Sequence, residues 1–455
     1  DSNFFVYDLY DVWKISPDTG FAPVVVSKLI VDRLGKPSAG RAFKFTAKFV
    51  NTDKEHRYFS PSKKYVFSLF KRDTKETSFC LASIDSMQQP AFIIYDGKSA
   101  TGRQLISRNN ASLVFSKENS QESPNLFFTS LANENKRASF DADGTLINYI
   151  YLVSEQLSDI NPQQKEYNWL TAELYKWKAY NGKQATGILY KPEDFDPKKK
   201  YPLICYFYEK LSDNINNYQA PAPTPSRLNI PFFVSRGYIV FAPDIEYKVG
   251  YPGKSAYDYV ASGARALVKA GFIDSTKMGI QGQSWGGYQV AYLVTKTPMF
   301  KAAWAGAPVA NMTSAYGGIR WESGLNRQFQ YEKQQSRIGA SLWEKPQLYI
   351  ENSPLFHLPK VQTPLVIMHN DADGAVPWYQ GIELFTGLRR LGKPVWMLNY
   401  NNDAHNLMER KNRKDIQIRE QQFFDWLLKG EKAPKWLTEG VPAIEKGKDW
   451  GLQVE

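Results

Sequence analysis

Ser284 sits in the stretch Met278-Gly-Ile-Gln-Gly-Gln-Ser284-Trp-Gly-Gly-Tyr288, where Gly282 and Gly286 flank it in a G-x-S-x-G pattern. A serine hydroxyl can attack a carbonyl only if a base takes its proton and an acid holds that base in the right tautomer. The glycines fit that chemistry. A serine at the tip of a strained strand-to-helix turn needs neighbours without a Cβ, so that the backbone folds tightly and Oγ stands in the open. By chance alone the pattern arises in roughly one chain in ten of this length. Context therefore carries the argument: Met278 to Ile280 reads as a buried strand, and Gln289 to Thr295 reads as a helix.

The acid and the base must come from elsewhere in the chain. In open α/β sheets such groups stand in loops at the carboxyl ends of strands. One such loop follows the strand Leu365 to His369 and holds Asp371 and Asp373; another follows Val395 to Asn399 and holds Asp403 and His405. The order Ser, acid, His is that of the α/β-hydrolase fold.

The elements needed to position these residues are legible from about Tyr167 onward. Leu170 to Lys178, a turn at Asn181-Gly182 and Ala185 to Tyr190 predict a hairpin. Strands at Leu203 to Phe207, Tyr238 to Ala242 and Phe300 to Ala305 then alternate with helices, the pattern of a parallel sheet covered on both faces. One helix is expected to start at Ser255 as N-cap, with Val260, Ala264, Leu267 and Val268 on its buried face. The last, over residues 414–429, carries Ile416, Phe423, Phe424 and Leu427 at helical spacing.

The N-terminal part reads differently. Strands are expected at Phe4 to Tyr10 and Val12 to Ile15, followed by a turn over Ser16 to Gly20. Tyr65 to Phe70 with Ser78 to Ile84, and Ser112 to Ser116 with Asn125 to Leu131, predict two hairpins, and Leu146 to Val153 a further strand. Such punctuation suggests propeller blades. At about 40–50 residues each, only about three would fit, so this is expected to be part of a propeller whose remainder precedes Asp1. The division expected is a β-rich segment at 1–160 and an α/β-hydrolase doubly wound sheet at 161–455.

Composition narrows the remaining possibilities. The chain has 455 residues, 43% hydrophobic and 15% aromatic, which suits well-packed cores. Two cysteines, Cys80 and Cys205, and four histidines without paired spacing argue against a disulfide framework and a metal site, and no cofactor is expected. The net charge of +11 is spread out, with only short runs such as Lys198 to Lys200, so a nucleic-acid partner is not expected. No run approaches a membrane span. The absence of an initial Met suggests a processed product or a fragment.

Several of these segments together resemble the prolyl oligopeptidase family of serine peptidases, nearest its dipeptidyl-peptidase branch. They are Ala270-Gly-Phe-Ile-Asp274, the elbow with its Gly286-Gly-Tyr288 tail, Ala307-Pro-Val309, His369-x-x-x-Asp373-x-x-Val376-Pro377 and Asp403-Ala-His405. The resemblance covers residues 167–429. It implies a peptidase acting on short peptides through an acyl-enzyme, with Ser284 as nucleophile, Asp373 as acid and His405 as base. Asp371 and Asp403 then become loop residues, and His56, His357 and His369 structural or exposed ones.

The resemblance further implies an oxyanion hole from the Trp285 amide and the Tyr208 hydroxyl, with Tyr206 as a neighbouring alternative. It also implies an S1 pocket lined by Tyr288, Val309, Tyr316, Trp321 and Val376 for proline or another small P1 residue. Two departures stand out. Glu209-Lys210 follows Tyr208 where small residues are usual, and Ala375 stands where relatives place Asn or Arg to hold the P2 carbonyl. A carboxylesterase of the same fold and a catalytically silent peptide-binding module are the alternatives. A homodimer is left open, and export to the periplasm or medium is expected.

Overall fold

The structure, a computed structural model, describes residues 3–8, 11–18, 20–26, 45–50, 63–84, 91–93, 98–109, 111–132, 135–136, 139–140, 146–147 and 150–454. His56 and the expected strand end at residues 9 and 10 lie outside them. The chain divides into two compact units, residues 1–166 with 213–218, and residues 167–212 with 219–455. The first therefore runs six residues past the expected boundary and takes in a short segment from within the α/β sequence.

Strands dominate the first unit among its described residues, with a 3-10 turn at Pro162–Glu166 near its end. Lys64–Lys71 pairs antiparallel with Thr77–Ser83, and Phe45–Phe49 pairs with the former. A four-stranded antiparallel sheet follows, in the order Ser154–Gln156, Asn125–Ser130, Ser112–Glu118, Ala100–Ile106. Strand alternation points Leu113 and Phe115 into a core with Val66, Phe79 and Leu81. Of the expected strand from Leu146 to Val153, residues 148 and 149 lie outside the described residues, and Leu146–Ile147 and Ile150–Tyr151 pair in different sheets.

The second unit is built on eight strands: β1 (Leu170–Lys178), β2 (Gln184–Pro192), β3 (Tyr201–Tyr206), β4 (Ile239–Pro243), β5 (Ile273–Gln283), β6 (Ala302–Gly306), β7 (Leu365–Met368) and β8 (Val395–Leu398). Their spatial order is β1-β2-β4-β3-β5-β6-β7-β8. β2 runs antiparallel to β1 and β4, and the remaining neighbours are parallel. Every residue of β4, β6 and β7 is buried, as expected where both faces of a parallel sheet are covered.

Period-2 alternation sorts the side chains between two helical layers. Ile280, Ala303, Ala305 and Ile367 share a core with Val260 and Leu267 of α1 (Pro252–Lys269), Leu293 of α2 (Trp285–Lys296) and Leu388 of α3 (Tyr379–Arg390). On the other face Trp304 and Trp396 pack edge-on against Phe423 of α4 (Arg410–Phe424). This is the doubly wound sheet of the α/β-hydrolase fold, preceded by an all-β segment.

Two helix ends differ from expectation. α1 starts at Pro252, whose fixed φ suits the first helical position, and Ser255 lies inside the helix, donating from Oγ to the Tyr251 carbonyl at 2.8 Å. α4 starts at Arg410 and runs into one π-helical turn, Asp425–Lys429. The extra residue in that turn shifts the buried position to Leu428, and Leu427 is only half-buried.

Candidate active site

β5 ends at Gln283 and α2 begins at Trp285, leaving Ser284 between them at φ 62° and ψ −114°. A side chain at positive φ is strained and persists only where its surroundings over-determine it. Here the Ser284 amide donates to the Gly306 carbonyl at 2.7 Å. A Cβ on Gly282 would lie 2.5 Å from the Gly286 backbone, and one on Gly286 would lie 2.5 Å from the Phe207 carbonyl. Both positions must therefore be glycine. The Trp285 amide occupies the first helical position, where no intrahelical acceptor exists, and the helix end favours negative charge.

Asp373 stands in the loop after β7 and His405 in the loop after β8, and their side chains meet. His405 Nδ1 lies 2.7 Å from Asp373 Oδ2. The other carboxylate oxygen accepts from the Ala375 and Val376 amides, each at 2.8 Å. Burial alone would raise the Asp373 carboxyl, but hydrogen bonds and charge from His369 and His405 outweigh it and hold it well below the usual carboxylate range. An ionised carboxylate only accepts, so Nδ1 of His405 carries the proton that faces it. His405 retains 17% exposure on a carboxylate that has none.

Further side chains brace these loops. Asn370 donates from Nδ2 to the Ala404 carbonyl at 2.8 Å and accepts from the Tyr400 amide at 3.2 Å. His369, fully buried, places Nε2 3.3 Å from Asp373 Oδ2 and 3.2 Å from the Val376 carbonyl. Asp371 accepts from the Asn402 amide at 2.7 Å and from Asn401 at 2.6 Å. Asp403 accepts from the Met408 amide at 2.8 Å and from Asn412 at 2.6 Å. Both are loop braces. His357, away from this centre, lies 3.0 Å from the Glu351 carbonyl.

Tyr208 follows β3 and is half-buried, with its hydroxyl accepting from Gln335 Nε2 at 2.9 Å, which leaves the hydroxyl proton free to be given elsewhere. The Tyr208 carbonyl accepts from Gln289 of α2 at 2.8 Å, so the end of β3 is tied to the helix behind Ser284. Tyr206 is buried, and burial pushes its phenol up to about 12. Glu209 is paired with Arg337, whose guanidinium lies 4.8 Å over the Tyr247 ring. Tyr247 in turn accepts from the Trp285 indole at 2.9 Å. The acidic departure after Tyr208 is thus neutralised and braced.

A tight pocket opens beside Ser284. One side is formed by Trp285, Val309 and Val376; the other comes from Arg320, Arg327, Gln330, Tyr331, Gln335 and Ser336. Tyr288 and Tyr316 lie behind this wall, in the cluster that packs Trp285 and Val309. Tyr288 stacks on Trp285 at 4.5 Å, and Tyr316 donates to Glu332 at 2.5 Å. Trp321 is not part of the pocket: it is 75% exposed on a two-strand excursion, Ile319–Arg320 and Leu325–Asn326. The segment 327–336 was not marked by sequence because it carries no motif, only scattered polar residues between short helices.

Residues 224–431 match the model of the prolyl oligopeptidase family, a span that includes Ser284, Asp373 and His405 but not Tyr208. The chain is 27% identical over 291 residues to dipeptidyl-peptidase 5 of Porphyromonas endodontalis, covering 60% of this chain and 38% of that protein. It is 24% identical over 259 residues to an uncharacterised peptidase of Bacillus subtilis, covering 56% and 38%. The structure of dipeptidyl peptidase 4 of Porphyromonas gingivalis superposes with a TM-score of 0.59 at 16% identity, over 91% of this chain and 59% of that one. Puromycin hydrolase gives 0.62 at 15%, over 95% and 59%. The chain thus spans well under two thirds of the length of these proteins. It carries a prolyl oligopeptidase family domain at residues 224–431.

Proposed function

We propose that this protein is a serine peptidase that cleaves short peptides through an acyl-enzyme, with Ser284, His405 and Asp373 as its triad. The observation that carries the reading is the 2.7 Å pairing of His405 with a buried, ionised Asp373, on loops at the same sheet end as the strained Ser284. Relatives named dipeptidyl-peptidases support short peptides as substrates.

Ser284 Oγ attacks the scissile carbonyl carbon while His405 Nε2 takes its proton. The imidazolium is stabilised by Asp373, and the oxyanion receives hydrogen bonds from the Trp285 amide and the Tyr208 hydroxyl. His405 then gives the proton to the leaving amine as the C–N bond breaks, which leaves an ester on Ser284. Water repeats the sequence and frees the acid. The tight pocket supports the short-side-chain part of the P1 preference that the family resemblance implies.

The test is labelling with a fluorophosphonate, read by intact mass, alongside peptide anilides and short-chain nitrophenyl esters. A single adduct on the wild type, none on Ser284→Ala and preferred turnover of the anilides are expected. Failure to label would refute the nucleophile, and preference for the esters would make the protein a carboxylesterase.

A further inference from the structure

We propose that the pocket beside Ser284 selects a short acidic side chain at P1, aspartate foremost, through Arg327. The inference rests on the reading of Ser284 as nucleophile, since that makes this pocket the P1 site.

Arg327 is 1% exposed and lines the same pocket as Ser284. Its guanidinium has five donors. One Nη donates to the Ala375 carbonyl and the other to the Tyr331 hydroxyl at 3.2 Å, while Nε is buried without a partner among the described residues. No ion pair of Arg327 with a carboxylate occurs among them. The pocket wall holds no acidic residue, and Arg320, half-buried, adds a second cation.

A cation out of water without a counter-charge is costly, and neutral acceptors offset only part of that cost. A carboxylate entering the pocket would supply the missing charge beside the guanidinium, the charge-assisted partner that arginine favours. Proline would do neither. Its ring offers neither an acceptor nor a charge. The narrowness of the pocket then favours aspartate over longer acids.

The test compares peptide anilides identical but for P1, which is Asp, Asn, Pro or Ala, each with a free and with an acylated N-terminus. On the wild type, kcat/KM for Asp should exceed that for Asn and Pro by tenfold or more. Arg327→Gln should bring Asp and Asn to within about threefold of one another. Because Arg327 also braces the Ala375 carbonyl, that variant can fail to fold, so Arg320→Gln provides a second arm in which the Asp to Asn ratio should narrow. A wild type that prefers Pro or Ala, or does not separate Asp from Asn, overturns the proposal and leaves the peptidase reading intact. So does an Arg327→Gln protein that loses rate equally on all four, since the guanidinium would then hold substrate backbone. Failure of every substrate together with failure of fluorophosphonate labelling would instead overturn the reading of Ser284.

Discussion

The side-chain amide of Gln283 donates a 2.9 Å hydrogen bond to the main-chain carbonyl of His405. It joins the residue before the elbow serine to the residue proposed to take that serine's proton. The distance between the two reacting groups is thus set partly by Gln283, which is itself buried. Gln283→Ala should lower kcat roughly tenfold to a hundredfold, because small misplacements of catalytic groups are costly. Its stability should fall by only about 1 kcal/mol, the net worth of one hydrogen bond. Steady-state kinetics with urea unfolding separates the two effects.

The Tyr208 hydroxyl accepts from Gln335, which leaves its proton for the oxyanion role proposed for it. Tyr208→Phe should cost about 10²–10³ in kcat with little change in KM, as for removal of one oxyanion donor elsewhere. Gln335→Ala should cost less, since the tyrosine keeps its proton. Equal losses in kcat and KM terms for Tyr208→Phe would make it a packing residue.

Gly286 meets the Phe207 carbonyl so closely that a Cβ would lie 2.5 Å from it. Main chain cannot yield as a flexible side chain can. Gly286→Ala should therefore destabilise the α/β unit by about 1–3 kcal/mol, the usual cost of overpacking. It should lower labelling of Ser284 even in the folded fraction. Thermal unfolding and fluorophosphonate labelling together read this.

Glu420 of α4 is fully enclosed, and burial pushes its carboxyl well above the usual range, with Gln281 pulling only partly back. In the unfolded chain it ionises near pH 4.3. Folding therefore retains a proton that the unfolded chain releases. The stability due to Glu420 is complete below about pH 4.3 and declines as the pH rises towards its folded value. Glu420→Gln removes this dependence. It should be more stable than the wild type at pH 8. The gain should vanish near pH 4. Urea unfolding at the two pH values checks it.

Much of this was legible in the residues. Hydrophobic runs gave every central strand of the α/β sheet, since a strand buried on both faces must be apolar throughout. The G-x-S-x-G glycines foretold the elbow because no other residue fits there. What the sequence hid was lateral. Arg327, Gln335 and Asn370 act through tertiary contacts 48, 127 and 34 positions away along the chain, and no local period marks such residues. Trp321 differs for the converse reason: the family resemblance puts it by position in the pocket wall, but a two-strand excursion carries it to the surface. The shift from Leu427 to Leu428 came from a π-turn, which breaks the 3.6-residue period that placed the stripe.

The central claim is that Ser284 and His405 act as one unit, and kinetics of Ser284→Ala, His405→Ala and the double variant test it most directly. Each single change should lower kcat by about 10⁴–10⁶, and the pair should lose little more than either alone. Near-normal turnover by Ser284→Ala, or losses that multiply in the double variant, would contradict it.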